Sequence, residues 1–200
     1  MGSNGDHSKE ALIATKPDRR PERTRQALVR SLVELILERG YESVTIDDLT
    51  QRANVGRSTL YVHFGGLDGV LKQALTNPSI RLADIVDRKP ALEHVAALLD
   101  HFKDQRKRNG SMFAPPMRAV WVRRLAELIE PRLEALASAE NRPAPLLPLS
   151  FIATQLAEQQ LALVANWLSM RVTMPSEAVA AAVIAMTRAT VDGLAPGVAE

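Results

Sequence analysis

Residues 45–64, TIDDLTQRANVGRSTLYVHF, decide how this chain folds. Thr45 is placed to cap a helix, and Asp48, at the third helical position, makes an acidic relative of the capping box. Val44 and Leu49 occupy the two positions of a hydrophobic staple. Ala53-Asn54-Val55-Gly56 is a tight turn. Asn54 tolerates the left-handed backbone because its short polar side chain bonds locally. Ala53 is small enough for two helices to cross closely, and Val55 plugs the space between them. A second helix, Arg57 to His63, buries Leu60 and Phe64 and leaves Arg57, Ser58, Thr59, Tyr61, Val62 and His63 on its other sides. It is too short to stand alone, so its neighbours must hold it. Two short helices joined in this way form a helix-turn-helix, the unit that lays its second helix in the major groove of DNA.

Upstream, Leu28, Leu32, Leu35 and Ile36 recur at helical spacing, with Glu34 and Glu38 facing water, which predicts a helix from about Glu22 to Arg39. Gly40 is expected to end it in a left-handed cap, with Tyr41 folding back on Ile36. Before this helix, residues 1–20 are polar and aperiodic and read as a disordered arm. The segment from Lys16 to Arg30 carries six cations (Lys16, Arg19, Arg20, Arg23, Arg25, Arg30) against Asp18 and Glu22. Beside a helix-turn-helix, such a run points to phosphate contact; taken alone, it is a solvated helix entrance.

The stretch RTRQALVRSLVELILERGYESVTIDDLTQRANVGRSTLYVHF resembles the DNA-binding domain of the TetR family of transcriptional regulators. The likeness covers about Arg23 to Leu71. It rests on Ala27, Leu35, Gly40, Tyr41, Thr45, Ile46, Leu49, Ala53, Val55, Thr59, Leu60, Tyr61, His63 and Phe64. The resemblance implies an all-α protein, with an N-terminal three-helix helix-turn-helix domain and a C-terminal helical ligand-binding and dimerisation domain. It also implies a sequence-specific DNA-binding regulator, read here as a repressor released from a pseudo-palindromic operator by a small hydrophobic effector. Three positions depart from the family pattern. Asn54 replaces a turn glycine, Gly56 replaces a capping Ser or Thr, and Leu67 replaces a lysine that would open the next helix onto a phosphate. Lys72, one turn further on, or the basic arm is positioned to compensate.

DNA recognition requires donors at the start of the recognition helix and phosphate clamps around it. Arg57 suits bidentate contact to guanine or a phosphate. Ser58 and Thr59 suit bases or thymine methyl groups. The resemblance assigns Tyr61 and His63 to phosphates, against core packing as the alternative for Tyr61. Thr45 offers an amide and hydroxyl at a helix N-terminus. Arg23 and Lys72 complete the DNA-binding set.

Three divisions are expected: the arm (1–20), the head (21–70) and the body (71–196). In the body, Asn77-Pro78 is expected to interrupt or kink the fourth helix, and Pro90 to open a fifth with Leu92, Val95, Leu99 and Phe102 on one face. That helix ends in a basic run, 106–108, before Gly110, which suits a helix C-terminus. A sixth helix carries Met117, Val120, Trp121, Leu125 and Leu128, with a boundary at Pro131. Asn141 to Pro148 is a linker. Leu149, Ile152, Leu156, Leu163, Trp167 and Met170 mark a seventh helix. After Pro175 an eighth carries Val179, Ala182, Val183, Met186, Ala189 and Thr190, ended by Gly193 and Pro196. The resemblance pairs the helices at 149–170 and 175–191 with their twins in a homodimer; the alternative is that both faces are core. The family's effector lies between its fourth and eighth helices. The candidate lining here is Phe102, Met112, Phe113, Met117, Trp121, Phe151, Gln155 and Trp167, with His94 and His101 as polar anchors.

Other classes fit poorly. Two hundred residues with 46% hydrophobic content support a sizeable core, and the absence of cysteine excludes disulfides and thiolate chemistry. No cofactor or metal is expected: His94 and His101 are seven apart, a poor spacing for one ion. No HExxH, phosphate loop or nucleophile elbow argues for an enzyme. The only early apolar run, Ala11–Ala14, is too short for a signal core, and no run is long enough to span a membrane, so a cytoplasmic protein is expected. A helical protein-interaction or ligand-binding module without operator binding is the competing reading, and it would not need Arg57–His63.

Overall fold

The computed structural model describes residues 20–88, 92–104, 112–141, 143–169 and 174–194. These hold eight α-helices: α1 (Arg20–Arg39), α2 (Ile46–Ala53), α3 (Arg57–Phe64), α4 (Leu67–Ala83), α5 (Leu92–Asp104), α6 (Pro115–Ala139), α7 (Leu149–Ser169) and α8 (Ser176–Leu194). Among the described residues there is no strand, so the fold is all-α. The expected arm (apart from Arg20), the Pro90 start, the basic run at 106–108, Met170 and Pro196 lie outside the described residues.

Helices α1 to α3 build the head. Leu28, Leu32 and Ile36 of α1, Leu49 of α2 and Leu60 of α3 are fully buried. Each such side chain contributes roughly 1.5–3 kcal/mol of hydrophobic stabilisation. That burial holds the two eight-residue helices, α2 and α3, which are too short to persist in water. The capping box is present: Asp48 N donates to Thr45 Oγ1 at 3.2 Å, and Thr45 N donates to Asp48 Oδ2 at 3.0 Å. Asn54 takes the left-handed conformation the turn requires, at φ 53° and ψ 49°.

The end of α1 differs from the sequence expectation. Gly40 has a positive φ of 82°, but its ψ of 153° is not the left-handed helical cap. A 3-10 turn, Tyr41–Ser43, follows, and the Tyr41 hydroxyl donates to Asp68 Oδ1 at 2.6 Å. Tyr41 thus ties the α1–α2 connection to the first turn of α4. Burial, then the Asp68 carboxylate, push its hydroxyl pKa far above the ordinary value.

In the body, α6 lies mainly against α7 and α4, and α5 against α8. Pro78 does not interrupt its helix, and the boundary expected at Pro131 is absent. Helix α4 runs through Pro78 and α6 through Pro131. A proline inside a helix costs about 3 kcal/mol through its lost donor and its clash with the preceding turn. In α4, however, Leu75 and Leu82 are buried on either side of Pro78, and in α6 Ile129 and Leu133 flank Pro131. Burial worth roughly 1.5–3 kcal/mol for each side chain exceeds that cost, so both helices continue. Helix α8 likewise continues through Gly193 to Leu194.

Polar contacts fix the body's register. Trp121 Nε1 donates to Ser79 Oγ at 3.1 Å in the interior. Gln160 Nε2 donates to Thr187 Oγ1 at 3.0 Å, joining α7 to α8. Arg132 pairs with Asp84 at 2.6 Å, and Arg88 pairs with Glu140 at 2.9 Å and with Asp192. Among the described residues, no helix is long and apolar enough to cross a membrane.

Candidate nucleic-acid interface and effector cavity

Helix α3 presents an outward face of Arg57, Ser58, Tyr61 and Val62. Tyr61 is 51% exposed, which removes core packing as its explanation. Val62 is 84% exposed, an unfavourable place for an aliphatic side chain facing only water. Thr59 and His63 are half-buried at the edges of this face. The Arg57 guanidinium pairs with Asp47 on the first turn of α2. Both side chains are well exposed, so the pair is easily opened. Thr45 keeps its hydroxyl in the capping box. Bonds from Thr45, then Arg39, hold the Asp48 carboxyl down at about 2.

The face is held from behind by Arg25 of α1. Its guanidinium lies 4.7 Å from the Phe64 ring centroid, donates to the His63 carbonyl at 3.3 Å and to Gln73 Oε1 at 3.2 Å. One side chain thereby joins α1, the end of α3 and α4. Arg52 anchors α2 to α1 by two bonds to Glu38, at 2.9 and 2.8 Å. Arg23 and Lys72, by contrast, are exposed and make no ion pair among the described residues.

The body holds a cavity of about 340 Å³. Phe102, Met112 and Trp121 line it, as does His101, but Phe113 and Met117 do not. Phe113 packs behind, its ring 5.2 Å from Trp121 and 5.9 Å from Phe102, and Met117 is buried. The other three expected lining residues are elsewhere. Phe151 and Gln155 sit on the outward face of α7, and buried Trp167 donates to the Met174 carbonyl at 3.3 Å. The walls come instead from α4, α5, α6 and, unexpectedly, Val33 and Leu37 of α1. His94 is exposed and away from this lining. Among the described residues no cluster of three His, Asp or Glu side chains is arranged to hold a metal.

The family model for bacterial regulatory proteins of the tetR family matches residues 28–74, which span α1 to the middle of α4. The head of this chain, from α1 to the middle of α4, is thus similar to the DNA-binding domain of the TetR family. It is 31% identical over 81 residues to YxbF, an uncharacterised HTH-type transcriptional regulator of Bacillus subtilis strain 168. That match covers 40% of this chain and only 20% of that relative. A TetR transcriptional regulator from Streptococcus agalactiae shares the fold, with a TM-score of 0.53 at 24% identity, over 85% of this chain and 96% of that one. So does Thermus thermophilus FadR, a TetR-family transcriptional repressor solved with lauroyl-CoA, with a TM-score of 0.52 at 18% identity, over 88% and 100%.

Against the TetR-family pattern, the unit shows its departures in place. Gly56 sits in ordinary extended backbone, φ −67° and ψ 148°, and gives α3 no side-chain cap. Leu67 is half-buried against the core, where a lysine would have reached out. Sequence reasoning missed two positions. Asp47 carries no local signal beside its capping neighbour Asp48, yet it faces Arg57 across the turn. Gly69 has no turn to explain it. A Cβ there would lie 1.9 Å from the Phe64 carbonyl oxygen, so glycine is what lets α4 approach the end of α3.

The apolar positions that mark the last two helices divide between core and surface. Ile152, Leu156, Trp167, Val179 and Val183 are buried within the chain, because α5 and α6 cover that side. The outward faces carry Phe151 on α7 and Ala178, Ala182, Met186 and Ala189 on α8.

Proposed function

We propose that the chain is a cytoplasmic, sequence-specific DNA-binding transcriptional regulator that works as a homodimer and is released from its operator by a small-molecule effector. The exposed face of α3 carries this reading: Arg57, Ser58, Tyr61 and the 84%-exposed Val62 stand together, and all four are exposed among the described residues. Arginine reads guanine edges, hydroxyls read bases or phosphates, and an exposed aliphatic group matches a thymine methyl. Unpaired Arg23 and Lys72 flank the face as phosphate clamps, with Tyr61 and His63 beside them. Thr45, expected to offer its amide and hydroxyl to a phosphate, instead donates both to Asp48 Oδ2, at 3.0 and 2.5 Å, and drops out of the DNA-binding set.

Two copies related by a two-fold axis would set two α3 helices in successive major grooves of a pseudo-palindromic site. The outward apolar faces of α7 and α8, with Phe151 50% and Met186 43% exposed, supply the dimer surface. A mobility shift on the DNA flanking its own gene tests the reading. Arg57→Ala and Tyr61→Ala should each weaken binding, and Met186→Glu should give a monomer by light scattering with binding lost. Full affinity in both head variants would refute the assignment.

A further inference from the structure

The cavity in the body names the chemistry of its occupant. Its wall is apolar and aromatic, from Leu98, Phe102, Met112 and Trp121, yet Arg81 also reaches it. Arg88, Arg118 and Arg132 of the body are each engaged by a carboxylate. Arg81 makes no ion pair or hydrogen bond among the described residues, and no Asp or Glu is in the lining. An unpaired guanidinium at the edge of an apolar chamber presents a fork of donors that matches a carboxylate.

We propose that this cavity takes a small amphipathic organic anion, its apolar body against Phe102 and Trp121 and its carboxylate on Arg81. The inference rests on reading the chain as an effector-controlled regulator and gives that effector a class. A volume of about 340 Å³ suits a small acid and is tight for a long-chain one. The walls supply the coupling as well. Val33 and Leu37 belong to α1, the helix whose Arg25 holds the end of α3 through the His63 carbonyl. An occupant that wedges α1 from α4 acts on the reading head through one rigid helix. Its differential affinity for the two head positions is the coupling free energy.

Phenylbutyrate and its neutral counterpart phenylbutanol are suitable probes, titrated into the full chain with tryptophan fluorescence as the signal. Trp121 in the cavity wall reports their entry. The acid should bind about tenfold more tightly than the alcohol, the ratio one charge-assisted hydrogen bond sustains. Arg81→Gln should abolish that preference and leave alcohol binding unchanged; Arg81 is exposed, so the variant folds. Equal binding of the two probes, an Arg81→Gln protein that still prefers the acid, or no saturable binding of either overturns the proposal. No DNA enters this assay, so failure of the operator reading shows separately, in the mobility shift.

Discussion

Asp47 and Arg57 form an ion pair across the turn of the helix-turn-helix, joining the first turn of α2 to the first residue of α3. Exposed pairs of this kind contribute about 0.2–1 kcal/mol, so stability does not explain it. Its consequence is for DNA. A carboxylate beside the foremost donor repels phosphates and holds the guanidinium in one orientation. Asp47→Asn should therefore leave the melting temperature nearly unchanged while raising affinity for random DNA. It should steepen the salt dependence by about one phosphate contact, because Arg57 is freed. Arg57→Ala should flatten it by about the same amount. Filter binding across a salt series reads both slopes, and identical slopes would remove Asp47 from the interface.

Gly56 leaves α3 uncapped in a backbone that any residue adopts. A Cβ there meets only the Ser58 and Thr59 hydroxyl oxygens, both at 3.8 Å, which is ordinary contact. Gly56→Ser should therefore stabilise the protein by roughly 0.5–1 kcal/mol, from the new cap and the less flexible unfolded chain. Chemical denaturation measures it. A loss of stability would mean that the hydroxyl cannot reach the first turn of α3.

The head was legible in the sequence because its determinants are local. Thr45, Asp48 and Asn54 act within a few residues of themselves, and each does what its chemistry requires. The body was less legible because its determinants are distant. Pro78 and Pro131 break a helix by local rules, but flanking side chains buried against other helices outweigh them. Phe151 and Trp167 both lie on an apolar helix, and periodicity alone does not say which of them faces outward. Val33 and Leu37 repeat as ordinary head residues, and only the packing of α1 on α4 turns them into a cavity wall.

The Thr45–Asp48 box predicts a specific acid response. The Thr45 bonds, then those of Arg39, depress the folded pKa of Asp48 to about 2. A depressed carboxylate adds stability that is complete above its unfolded value, near 3.9, and is lost as pH falls through the folded one. The stability advantage of the native chain over Asp48→Asn should hold at neutral pH and shrink between about pH 4 and pH 2. Paired urea denaturations at several pH values follow that difference. A constant gap down to pH 2 would show that the charge on Asp48 does not support the cap.

Gly69 and Gly193 are both helical glycines, and their substitutions should act in opposite directions. At Gly193 a Cβ meets nothing within 4 Å, so Gly193→Ala should stabilise by about 0.4–1 kcal/mol through the unfolded chain. At Gly69 the Cβ would lie 1.9 Å from the Phe64 carbonyl oxygen and 2.9 Å from its carbon, both backbone atoms that cannot rotate away. Gly69→Ala should cost about 1–3 kcal/mol, as overpacking does. It should also push the end of α3 off α4, straining the Arg25 bond to the His63 carbonyl, which sits at 3.3 Å. Operator affinity should then fall by more than the lost stability explains, measured under conditions where the variant is fully folded. If Gly69→Ala binds DNA normally while folded, the close α3–α4 approach does not set the position of the recognition helix.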